Sequence, residues 1–162
     1  MTNLWEQLPH PVWMLGIFFA LTVVMVTVMK QQIGPLHVGD LELAGTKEKA
    51  AAVLKGWGEE GKRIVRVNTL LDFLFIPCYT TLLALLWFLM ASKTSRFGAV
   101  STILNVWAWL MWVAGILDVI ENLCMLSMMG REPTELLARL SQICATVKFV
   151  ITVVLIGVLF RK

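Results

Sequence analysis

Residues 100–129, VSTILNVWAWLMWVAGILDVIENLCMLSMM, decide the fold. Over thirty positions they carry only two charged side chains, Asp118 and Glu121. A bilayer core about 30 Å thick is crossed by roughly 20 helical residues, so this run is more than long enough to span it. The run is continuously apolar rather than alternating, and it far exceeds the roughly 10 residues of an outer-membrane strand, which selects helix over barrel. Three more stretches repeat the pattern. Residues 11–29 carry no charge, residues 70–91 carry Asp72, and residues 136–160 carry Arg139 and Lys148. The expectation is an all-α polytopic membrane protein whose four transmembrane helices form an antiparallel bundle.

Composition agrees. Of 162 residues, 58% are apolar and 15% charged, against about 45–50% and about 25% in soluble domains. The mean hydropathy is +0.77. These values exclude disorder. A net charge of +3 without a basic stripe leaves no electrostatic footprint for nucleic acid. The length suits one membrane domain, 1–162. Glu6 and the lack of Lys or Arg before the first span argue against a cleaved signal peptide, so that span is expected to be retained.

The connections at 92–99 and 130–135 are tight, which makes the last three spans antiparallel neighbours. Both chain ends and the 92–99 loop then share one face, and loops 30–69 and 130–135 share the other. Cations favour the second face by number, but there they alternate with acids along a longer stretch. The positive-inside rule therefore leaves orientation open. A plasma or bacterial inner membrane is the expected setting, with the bilayer itself as partner and a protein partner or homo-oligomer compatible.

Loop 30–69 is more than a linker. Gly34-Pro35 ends the first span, and HVGDLELAG (37–45) reads as extended. Thr46 reads as the N-cap of a short helix over about 46–57, with Leu54 and Trp57 on one face. Flanking lysines suit a helix at the lipid–water boundary; a helix packed on the bundle end fits equally. Gly56, Gly58 and Gly61 interrupt it, and a new helix is expected from about Glu59 into the second span.

No Gly-rich phosphate loop, H-E-x-x-H or G-x-S-x-G motif occurs, and haem, zinc and nucleotide signatures are lacking. His10 and His37 fall on opposite sides of the bilayer. Cys78, Cys124 and Cys144 lie inside spans without C-x-x-C spacing; the last two share a depth, although a buried cysteine is commonly a small apolar filler.

The charges inside the spans are the informative residues. Asp, Glu or Lys near a helix centre costs about 2.5–3.5 kcal/mol on insertion scales, so these groups should face one another or an aqueous cavity. At about 1.5 Å per residue, Asp118, Glu121 and Lys148 reach a common level roughly 12 to 18 Å from the long-loop face, with Asp72 shallower. Helical spacing sets Asp118, Glu121 and Asn122 on one stripe. Asn68, Asp72 and Tyr79 form a second, and Ser141, Cys144 and Lys148 a third. Three stripes predict a half-membrane polar pocket, open or nearly open toward the long-loop face. It would hold three acids against Lys148, with Arg66 and Arg139 near its rim. Asp118, Glu121 and Lys148 are the candidate catalytic residues; Asn68, Asp72, Tyr79 and Asn122 are the candidate ligand-pocket residues. An internal network that only fixes helix packing is the competing reading.

Pro77 frees the carbonyl of Phe73, which could kink the second span or offer that oxygen to the pocket. Trp107, Trp109 and Trp112 suit a lipid-facing position or core packing more than a pocket wall, and Trp5, Trp13 and Trp87 read as interfacial anchors. The segments GEEGKRIVRVNTLLDFLFIPCY (58–79) and DVIEN (118–122) resemble a group of uncharacterised four-span membrane proteins. That group carries D-x-x-F/P…Y and D-x-x-E-N motifs and has no known activity. The chain departs from it at GEEGK, where the group has GEEGR. The resemblance implies a four-helix bundle and singles out Asp72, Tyr79, Asp118, Glu121 and Asn122. Two functions follow as expectations: a pocket that binds or acts on a small lipophilic or lipid-like molecule, or a structural or accessory membrane subunit.

Overall fold

The computed structural model describes residues 11–94 and 98–159. Trp5, His10, Arg96, Arg161 and Lys162 lie outside them. The elements are α1 (Pro11–Ile33), α2 (Gly39–Glu42), α3 (Lys47–Lys93), α4 (Gly98–Gly130) and α5 (Glu135–Leu159), with no strand among the described residues. Four of these helices are long and apolar enough to cross a membrane. The chain is an all-α, four-helix membrane bundle.

The organising helix is α4. Its residues Leu104, Ala108, Met111, Gly115, Asp118, Asn122, Met125 and Met129 are buried and recur every three or four positions, the spacing of a left-handed helix–helix seam. That seam faces α3. The antiparallel register is marked by Arg66 against Met129, Asp72 against Asn122, Tyr79 against Asp118 and Ser101 against Ala91. Lipid tails supply no hydrophobic force between helices, so close approach and hydrogen bonds must hold the seam. Gly115 provides the approach: a Cβ there would lie 2.6 Å from Thr80 Cγ2. A neighbouring flank of α4 packs on α5.

The helices neighbour one another in the order α1, α3, α4, α5, and the ring they begin does not close. α1 packs against α3, α3 against α4 and α4 against α5, whereas α1 and α5 share at most a marginal contact. No described side chain of α1 is buried. This helix is apolar all round as far as Met29 and packs on α3, where its carbonyl at Met29 accepts a hydrogen bond from Asn68 Nδ2 at 3.0 Å.

Loop 30–69 folds back onto the bundle end. Residues 37–45, expected to be extended, instead contain the single turn α2, which touches α3, α4 and α5. Leu41 is the reason, because its side chain is wholly buried among Leu54, Met125, Met128 and Ala138. Thr46 caps α3, accepting from Lys49 N at 3.4 Å, and Gly58 breaks its helical path at φ 63°, ψ −172°. The arm from Lys47 to Trp57 presents Ala50 and Leu54 to that same cluster, so its apolar face is spent on protein.

Trp87 falls elsewhere than expected. It is 0% exposed, edge-on to Trp107 at 4.9 Å, and is a core residue rather than an interfacial anchor. Trp13 is 75% exposed. Trp109 packs against Phe88 and faces outward. α3 passes Pro77 with helical backbone angles, its one non-helical residue being Gly58.

Candidate functional site

The unclosed ring surrounds a cavity of about 530 Å3. Its wall takes Asn68, Asp72 and Tyr79 from α3, Asp118 and Asn122 from α4, and Lys148 from α5. α1 contributes Thr22, Met29 and Ile33. The polar groups gather toward the end of the bundle where α2 lies. Leu82, Leu83, Thr152 and Ile156 line the deeper part. From Asn68 to Leu83 the cavity follows α3 for fifteen residues, about 22 Å of helix.

The polar residues are tied across helices. Tyr79 donates its hydroxyl to Asp118 Oδ2 at 2.8 Å, and Asn122 donates Nδ2 to Asp72 Oδ2 at 2.6 Å; both bonds join α3 to α4. Lys148 crosses from α5, pairing with Asp118 Oδ1 and with Glu121 Oε2, the latter at 2.8 Å. The three stripes thus meet. Glu121 stands behind the wall rather than in it: its side chain is 0% exposed and neither oxygen accepts a well-directed hydrogen bond.

One expectation about this pocket is corrected. Its end toward the long loop is not open, because α2 lies across it and places Val38 and Glu42 in the cavity wall. Glu42 therefore leaves the set of solvated loop charges and joins the site as a fourth acid. Burial raises its carboxyl above the ordinary value, opposed by Lys148 and reinforced by Asp118. The only sequence signal for it was an acid set between Leu41 and Leu43, which a one-turn helix needs no long apolar period to bury. The rim arginines do not reach in, since Arg66 donates to the Met129 carbonyl at 2.9 Å and Arg139 pairs with Glu135 at 2.6 Å.

Other candidates stay outside the cavity. Ser141 and Cys144 are buried but do not line it, and neither do Phe73, Trp107, Trp109 or Trp112. Cys78, Cys124 and Cys144 are free thiols. Chemically, the arrangement can hold a small molecule by one polar end and shelter its apolar remainder. Comparison with protein-family models, curated proteins and solved structures finds no match to this chain.

Proposed function

We propose that the protein binds a small lipid-like molecule in this intramembrane cavity, in a plasma or bacterial inner membrane. The observation that carries the reading is the cavity itself: about 530 Å3 with polar groups converging at one end and apolar walls beyond. Ligand sites commonly occupy about 300–1,000 Å3 and pair apolar walls with a few convergent polar groups. Intramembrane ionisable residues are expensive, and a functional role is their default interpretation. Asp72, Asp118 and Lys148 would orient the ligand, and Glu121 would hold Lys148 from behind.

The test is recovery of a retained molecule. Protein extracted with its native lipid annulus is delipidated stepwise and its tightly held small molecules are measured by mass spectrometry. One species near equimolar is expected, lost in Thr22→Trp, which fills the cavity from the loosely packed α1. Recovery of nothing beyond bulk lipid counts against the reading.

A second reading is favoured by the direction of the hydrogen bonds, because those of Asp72, Tyr79, Asp118 and Lys148 all join separate helices. The network would then serve packing alone, as in an accessory subunit. Asp118→Asn and Glu121→Gln separate the two. Both should lose thermostability if the network is purely structural, whereas at least one should keep or raise it if the cavity is a ligand site.

A further inference from the structure

The cavity's open side and its charge balance say more about the occupant. α1 and α5 both contribute wall residues, yet they do not pack together; the gap between them faces the surrounding lipid. The end of the bundle is covered by α2. A ligand therefore meets this site from the side, out of the bilayer, with its apolar part lying along Thr22, Thr152 and Ile156.

At the polar end, Glu42, Asp72, Asp118 and Glu121 stand against Lys148 alone, and the strongest donors already serve groups of the protein. Tyr79 gives its proton to Asp118, and Thr69 gives its own to the Val65 carbonyl. Asn122 donates to Asp72, while Lys148 is engaged by Asp118 and Glu121. Asp72 forms no ion pair among the described residues, although it too lies within the field of Lys148, and its one hydrogen bond there comes from a neutral amide. Glu42 forms no ion pair among the described residues; its carboxyl lies beside that of Glu121, within the field of Lys148. Asn68, 4% exposed, must turn its amide nitrogen to the Met29 carbonyl. Its side-chain oxygen is thus left in the cavity wall without a donor among the described residues. Four carboxyls against one ammonium, with the Asn68 oxygen beside them, call for a donor bearing positive charge. An ammonium offers three donors and no acceptor, a match in number to Asp72, Glu42 and Asn68.

We propose that the occupant is a single-tailed amphiphile with an amine head, drawn from the bilayer through the gap between α1 and α5, its ammonium held by Asp72, Glu42 and Asn68. The proposal rests on the ligand-site reading above and names its substrate class. The size fits one drug-sized tail rather than a two-chained phospholipid.

The test uses the full chain in phosphatidylcholine nanodiscs carrying octadecylamine, octadecanol or octadecanoate at equal mole fraction. Thermal unfolding and binding are measured for each. The amine is expected to bind at least about tenfold more tightly than the alcohol, a difference of about 1.4 kcal/mol. Asp72→Asn, which can still accept from Asn122, should erase most of that preference. If that variant fails to fold, the three-probe comparison on the native chain still decides. Equal binding of amine and alcohol, or a preference for the carboxylate, overturns the amine class while leaving the ligand site intact. Binding of none of the three, with no retained molecule, removes both. The route is read separately with an octadecylamine bearing a mid-chain diazirine. Labels should map to the cavity-facing sides of α1 and α5, and labels confined to their outer faces overturn lateral access.

Discussion

Lys148 is the single side chain whose removal tests the electrostatic account most directly. Its side chain is 12% exposed and its ammonium serves two carboxylates, those of Asp118, 7% exposed, and Glu121, 0% exposed. In Lys148→Met the stem is preserved in volume and both carboxylates lose their cation. Breaking a buried pair from one side costs about 3–5 kcal/mol, because an uncompensated charge remains. An unpaired carboxyl can escape by taking a proton instead. From a reference value near 4.3, that costs about 1.4 kcal/mol per pH unit, or roughly 3.7 kcal/mol at pH 7. The two routes give similar figures for one carboxyl, so a loss of at least about 4 kcal/mol is expected at pH 7. Between pH 7 and pH 5 the protonation route becomes cheaper by roughly 2.7 kcal/mol for each carboxyl. The deficit of the variant should therefore shrink steeply over those two units. Equilibrium unfolding in mixed micelles at both pH values measures it. Adding Asp118→Asn to the variant should recover part of the loss at pH 7. A deficit below about 1 kcal/mol at pH 7, or one that does not change with pH, refutes the argument that Lys148 is needed to neutralise these carboxylates.

Other outcomes follow from individual contacts. Gly115→Val should push α4 from Thr80 and Ile76 and destabilise by about 1–3 kcal/mol, read by thermal unfolding; a neutral effect would mean the seam yields freely. Glu42 has its carboxyl value raised in the fold above the ordinary 4.5. Its contribution is thus full below pH 4.5 and declines as pH rises through the raised value. Glu42→Gln should match the parent at low pH and exceed its stability above that window. Thr46→Ala should cost about 0.5–1 kcal/mol and speed amide exchange in the first turn of α3, since Thr46 caps Lys49. Glu135 accepts from the Lys47 backbone and from Arg139, which hold its carboxyl below the usual range. The tether between the α3 arm and α5 should accordingly persist above pH 4.5 and loosen as pH falls through the lowered value, visible as faster exchange at Lys47.

Much of this molecule is present in the order of its residues. Four apolar runs of spanning length specify four helices, because a backbone in lipid must satisfy its hydrogen bonds internally. The Asp118–Asn122 stripe and Lys148 could be set at one depth by counting residues at 1.5 Å each, and the structure joins them in one ion-pair network. Periodicity is a property of the chain, and so are these features. Three others depended on what packs against what. Trp87 has the position of an interfacial anchor, and only its neighbour Trp107 makes it core. Glu42 sits in a loop by every local measure, and only the burial of Leu41 carries it to the cavity. The lateral gap exists because α1 packs on α3 without reaching α5. Burial and closure are relations between segments far apart in sequence. No window of residues contains them, and the tertiary structure alone decides that the pocket is roofed at its end and open at its side.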